Sequence, residues 1–304
     1  MPGGLYTYRV HGLRVSMEAP CPGLMLAPNT GDTDVTVHLG EVPRELREPV
    51  VRGVAYQATA DRFLLDVVSV ARFLVTAGSE IRVQPHSGAD QTSVQLFLLE
   101  LVMGAILHQR GLLPLCGSAV ETPKGAIVFT GPPAFGKSTL AALFCRRGHR
   151  LLSDGVCCID TSGDVPRLQP SQARLSLWHD SLQRLRIPMD GLTSVRSVTS
   201  QRFWCPVEQV SNPVPASVRA IYVLRMQNES RPALQKLSGL EATRALTDST
   251  VLPGLLQTAG VHGARHFLQV CTVARHAQMA AVTRRELVWE LDRLAELLEE
   301  ELAA

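Results

Sequence analysis

The chain has 304 residues, 45% of them hydrophobic and 19% charged, with a formal net charge of +2. That length suits two domains, or one large one, with ample chain for a core. No basic run concentrates the charge, and the longest apolar run, 96–107, is short for a bilayer and interrupted by Glu100, so neither nucleic acid nor a membrane is an expected partner.

Seven cysteines are scattered without C-x-x-C spacing, which reads as reduced thiols in a cytoplasmic protein rather than a zinc site. The start, MPGGLYTYRV, lacks a basic segment followed by an apolar core, so no secretory signal is expected.

Residues 1–90 read as a small β-rich domain of short strands and turns, antiparallel in plan. Residues 6–15 are strand-like, 34–39 alternate, and 71–75 with 80–84 form a hairpin around Ala77-Gly78. In that hairpin Ile81 and Val83 should face a core while Glu80, Arg82 and Gln84 face water. His11 and His86 have no second candidate ligand at useful spacing and are taken as surface or hydrogen-bonded residues.

From 93 to 109 the pattern turns helical and strongly apolar, ending at Gly111, as expected of a buried core helix. Two strands follow, 112–120 and 126–130, joined by a turn at Pro123-Lys124-Gly125. The second strand feeds GPPAFGKSTL, residues 131–140, which satisfies G-x-x-x-x-G-K-[ST] with Gly131, Gly136, Lys137 and Ser138. The spacing has a chemical reason: a short loop after a buried strand wraps a phosphate chain, then starts a helix whose free N–H groups point at the anion.

The nucleotide-binding set is therefore Gly131, Pro132, Pro133, Ala134, Phe135, Gly136, Lys137, Ser138 and Thr139. Lys137 is placed against the β and γ phosphates, and Ser138 offers its hydroxyl to Mg²⁺. Pro132 and Pro133 each lack an N–H, so two donors of such a nest are missing. Leu140, Leu143 and Phe144 make the buried stripe of the helix, and Gly148 stops it.

Residues 150–160, RLLSDGVCCID, read as a strand interrupted at Ser153-Asp154-Gly155. Asp154 there is either an ordinary Asp-Gly turn or an acid that holds Mg²⁺ or accepts a hydroxyl proton. Beyond it, 174–178 is strand-like and 188–212 has few periodic signals. A strand at 218–226, helices at 241–250 and 264–276 and a short strand at 280–283 follow. A last helix at 286–302 carries Leu287, Leu291, Leu294 and Leu298 on one face.

Taken together, LLPLCGSAVE, GAIVFTGPPAFGKSTLAALFCRRGHRLLSDGVCCID and ARLSLWHDSLQRL resemble the HPr kinase/phosphorylase superfamily, most specifically over residues 112–160. The closer resemblance is to the HPr-kinase-related proteins of bacterial peptide natural-product clusters, including lasso-peptide clusters. It implies an α/β fold: a P-loop kinase domain of HPr-kinase/PEP-carboxykinase-like type over 91–304, preceded by the small β-rich N-terminal domain.

Family members carry R-G-H-R-L-x-x-D-D on the strand after the loop helix, and Arg147, Gly148, His149, Arg150, Leu151 and Asp154 match. By that match Asp154 is the general base and, with Ser138, a Mg²⁺ residue; Lys137 and Asp154 are the catalytic pair. The implied reaction moves the γ-phosphoryl of ATP to a serine hydroxyl, on a peptide or protein substrate such as a ribosomally made precursor peptide, and relatives assemble as homo-oligomers.

Three positions depart from the pattern. Gly155 replaces the second Asp, Pro133 and Ala134 replace the central Ser-Gly of the loop, and Cys116 stands where relatives carry histidine. A degenerate kinase acting as a nucleotide-binding scaffold, and a kinase for a small metabolite, therefore stay open beside the peptide kinase.

Overall fold

Short alternating stretches in the first ninety residues build one sheet. The computed structural model describes residues 5–28, 31–171, 174–197, 200–207, 214–227, 233–257, 259–285 and 288–303. In it nine strands run in the order Met25–Leu26, Tyr6–Val10, Leu13–Met17, Val35–Leu39, Glu80–Pro85, Ala71–Thr76, Arg62–Val67, Tyr56–Ala58 and Val51–Arg52. The expected hairpin is present, with Val75 opposite Ile81, and Ile81 and Val83 are buried.

The antiparallel plan needs one correction. Val35–Leu39 lies parallel to both of its neighbours. Residues 40–70 make a peripheral meander, so the strand that returns beside 35–39 runs the same way. Alternation sets which face is buried but not which strands pair. His11 also differs from expectation: it is buried with φ +52°, its Nε2 is 3.5 Å from Ser171 Oγ, and its Nδ1 has no partner. Burial lowers its pKa to about 4.

Asp90 caps the core helix by accepting from the Ser93 N–H at 3.0 Å, and Gly111 leaves it at φ +73°. The helix is α-helical over Gln91–Phe97 and Met103–Gln109, with a π-helical turn at Leu98–Val102 between them. At 19 residues, Gln91–Gln109 is long and apolar enough to cross a membrane by length and composition, because the helix outruns the apolar stretch at 96–107 on both sides; 67% of its most apolar 18-residue stretch is buried. Val102, Met103, Ile106 and Leu107 share a core with Phe63, Phe73 and Ile81 of the first sheet and with Val156 and Cys158 of the second.

The second sheet has seven strands in the order Gly125–Thr130, Leu113–Thr122, Arg150–Asp160, Arg167–Gln169, Ala216–Met226, Gln278–Arg284 and Ala233–Lys236. Gly125–Thr130 also pairs in parallel with Ala216–Met226. Its apolar run supplies both faces, as expected of a strand covered on two sides. Ile127 and Phe129 pack with the helices Lys137–Arg146 and Leu291–Ala303; Ala126 and Val128 pack with Gly239–Asp248 and Ala259–His276.

Arg150–Asp160 is one continuous strand rather than a strand broken by a turn at Asp154, because Ser118 pairs with Asp154 and Gly117 with Gly155 along the ladder. The last helix starts at Leu291, later than expected, with Leu294 and Leu298 buried; Leu287 lies outside the described residues.

A third sheet, Arg174–Trp178, Ser200–Pro206 and Thr193–Ser197, includes a hairpin inside the stretch read as aperiodic, while 208–212 lies outside the described residues. All seven cysteines are free.

Phe144 is fully buried and tilts against Phe129 with ring centroids 5.2 Å apart, where the loop helix meets its strand. Phe144→Ala is expected to cost ~3–5 kcal/mol, measured as a fall in the denaturant midpoint.

Candidate active site

The loop strand ends at Thr130, and the chain then turns on Gly131 at φ +128° and Gly136 at φ +95°. A Cβ at Gly131 would sit 2.7 Å from the Leu224 carbonyl oxygen, so the loop can pass this strand only without a side chain. Ala134 takes φ +64°, a left-handed conformation that a Cβ disfavours. Gly136 caps the loop helix without a side-chain bond, leaving the first-turn N–H groups without an intrahelical acceptor.

Lys137 Nζ donates to the Gly131 carbonyl at 2.9 Å and the Pro132 carbonyl at 2.8 Å, and burial lowers its pKa. Arg284 donates from Nε and Nη2 to the Phe135 carbonyl at 3.3 and 3.2 Å, bracing the loop from the end of Gln278–Arg284. Thr139 is buried and donates to Ser181 Oγ at 3.1 Å.

Beside the loop lies a chamber of about 580 Å³, within the usual range for small-molecule sites. Of the residues singled out in the sequence, Pro133, Ala134, Gly136, Lys137, Ser138, Thr139 and Asp154 line it, together with Cys116. Gly131, Pro132 and Phe135 do not line it; their carbonyls hold Lys137 and Arg284 instead. Sequence reasoning missed Glu100, Ser118, Ser176, Trp178, Asp180, Arg184, Arg202, Arg284 and Trp289, which also line the wall. Only Glu100 left a signal, as the one charge in an apolar run.

Strand register aligns the acid with the loop helix. Ser118 stands opposite Asp154, so their side chains meet on one face, and Ser118 Oγ donates to Asp154 Oδ1 at 2.5 Å. The same hydroxyl is 3.5 Å from Ser138 Oγ. On the other side the Ser176 N–H donates to Asp154 Oδ2 at 2.7 Å. Burial pushes the Asp154 pKa up, opposed by those hydrogen bonds to its ionised form. Cys116 is half-buried, and burial likewise raises its thiol pKa, so it stays protonated near neutrality.

Glu100 enters from the π-helical turn of the core helix and packs over Gly155, where a Cβ would lie 3.3 Å from both its Cγ and its Oε1. Its Oε1 is 3.7 Å from Arg202 Nη1, and a third (33%) of its side-chain surface remains exposed. The carboxyl is nevertheless deep enough that burial raises its pKa to about 7, against the pull of Arg202. Among the described residues no group of three or more His, Cys, Asp and Glu side chains could hold a metal ion.

A scan against protein-family models finds no match, and a search of curated proteins finds none. Among solved structures the chain is similar to the HPr(Ser) kinase/phosphatase from Coxiella burnetii, with a TM-score of 0.34 and 12% identity. That match covers 62% of this chain and 95% of the other. A likeness of that size carries no argument about activity.

Two measurements test this geometry. Gly155 holds φ +86° against Glu100, so Gly155→Ala is expected to cost ~1–3 kcal/mol of stability, seen as a lower denaturant midpoint with an unchanged slope. The pKa of Glu100, about 7 in the fold against 4.5 ordinarily, means that its ionisation opposes folding. Its favourable contribution is complete below the ordinary value and is lost as pH rises through the folded one. Glu100→Gln removes that loss, so without Mg²⁺ the variant's gain in melting temperature over wild type should be larger at about pH 8 than at about pH 5.

Proposed function

We propose that the chain is an ATP-dependent kinase that transfers the γ-phosphoryl group to a hydroxyl. A serine of a ribosomally made precursor peptide is the acceptor class that the resemblance implies. The observation that carries the reading is the convergence, in one chamber, of Lys137 and Ser138 at an uncapped helix N-terminus with the buried carboxylate of Asp154, joined through Ser118.

Phosphoryl transfer asks for positioning and charge more than for covalent chemistry. The helix N-terminus and Lys137 supply positive potential for the phosphates, and Arg184, Arg202 and Arg284 add three more cations to the wall. Lys137 must exchange its loop carbonyls for phosphate oxygens when nucleotide enters. The Ser138 hydroxyl and the Asp154 carboxylate form an oxygen-only donor set that would hold Mg²⁺. Bound there, the ion would supply charge neutralisation for the phosphates. Ser118 keeps Asp154 and Ser138 in register for that task.

The second reading, a nucleotide-binding scaffold, is favoured by the loop itself. Pro132 and Pro133 give it no N–H, and Ala134 holds a conformation better suited to glycine. One experiment separates the two. Lys137→Ala should weaken MgATP binding ~10- to 100-fold in titration calorimetry. Incubating the wild type with labelled ATP and an array of serine-containing peptides should give peptides heavier by one phosphate. Equal ATP affinity in wild type and variant overturns nucleotide binding at the loop, whereas tight binding without transfer supports the scaffold.

A further inference from the structure

Three carboxylates line the chamber: Asp180 is exposed at its rim, and the two deeper ones, Asp154 and Glu100, have surroundings that suit them to different work. Asp154 is 4% exposed, with one oxygen accepting from the Ser118 hydroxyl and the other from the Ser176 N–H. Glu100 keeps a third (33%) of its side chain exposed, accepts no hydrogen bond from any described residue, and has only the looser ion pair to Arg202 at 3.7 Å. Asp154 is engaged in holding the wall together; Glu100 is available.

Glu100 also occupies an unusual backbone. It lies in a five-residue π-helical turn inside an otherwise α-helical segment, and such turns concentrate at functional sites because the extra residue redirects a side chain. Opposite it, the strand carries glycine at 155, and a Cβ there would crowd the Glu100 side chain at 3.3 Å. Nothing in packing alone calls for an acid in this helix, whose neighbours Leu98, Leu99 and Val102 are buried.

We infer that Glu100 is the catalytic residue that accepts the proton of the phosphoryl acceptor, leaving Asp154 to orient Ser138 and the metal. This rests on the kinase reading above. The acceptor O–H proton passes to the Glu100 carboxylate as the acceptor oxygen bonds to the γ-phosphorus; the bond from that phosphorus to the β–γ bridging oxygen breaks, and its electron pair leaves with ADP. Charged groups around the glutamate are Arg202 and Arg174 from the third sheet, Asp154 from the second and Lys137 from the loop helix.

The test uses the full chain and MgATP with water as the acceptor, following ADP release, alongside MgATP and Mg²⁺ affinities by calorimetry. Glu100→Gln keeps the shape and removes the basic oxygen. Its turnover should fall ~10²-fold or more, with MgATP and Mg²⁺ affinities within a few-fold of wild type and cooperative melting retained. Glu100→Asp keeps a carboxylate one methylene short and should recover part of the rate; it also stands in if the Gln variant does not fold. A Gln variant as fast as wild type overturns the assignment and leaves the kinase reading intact. A tenfold or greater loss of Mg²⁺ affinity overturns it in favour of a metal-holding role. A wild type that binds MgATP but releases no ADP overturns the kinase reading and this assignment together.

Discussion

The chamber depends on one buried carboxylate. Asp154 sits in mid-strand with almost no exposure, a position that is costly for a charge without donors. Its donors include the Ser118 hydroxyl on the neighbouring strand, the Ser176 N–H on the third sheet and the Ser138 side chain at the start of the loop helix. Solvating that charge therefore docks the third sheet against the second. Ser118 also approaches Ser138, so the loop helix is brought into the arrangement as well.

Around that centre the charges are matched rather than excluded. Lys137, Arg202 and Arg284 stand on the wall with Asp154 and Glu100, and Arg174 stacks over Trp204 at 3.4 Å just behind it. Arg202 lies over Trp178 at 5.1 Å and faces Glu100, so the third sheet contributes both aromatic surface and a cation. The faces of Trp178 and Trp204 cover the Arg202 and Arg174 guanidinium groups, and loop carbonyls accept from Lys137 and Arg284.

Gly155 has a spatial counterpart. A carboxylate from the core helix faces it, and the missing Cβ leaves the room that Glu100 occupies. The helix that looks in sequence like simple core filler thus has two functions. One side completes the core of the first sheet, and its π-helical turn delivers an acid to the chamber in the second.

The sequence by itself determined the local chemistry. The loop motif, its flanking strand and helix, the hairpin at residues 71–85 and the buried stripe of the loop helix follow from glycine conformation, N–H geometry and period, which act over a few residues. Pairing lay beyond it, because the partners are distant in sequence: Ser118 with Asp154 is a matter of register, and Val35–Leu39 with Glu80–Pro85 a matter of the path taken by residues 40–70. The strand at 150–160 reads as broken in sequence because Asp-Gly usually marks a turn, whereas here the ladder with Leu113–Thr122 holds Gly155 at positive φ within the strand. Glu100 shows in sequence only as a charge in an apolar run, and Arg202 and Arg284 not at all; tertiary structure brought all three to the site, since solvating and pairing buried charges depends on which surfaces meet.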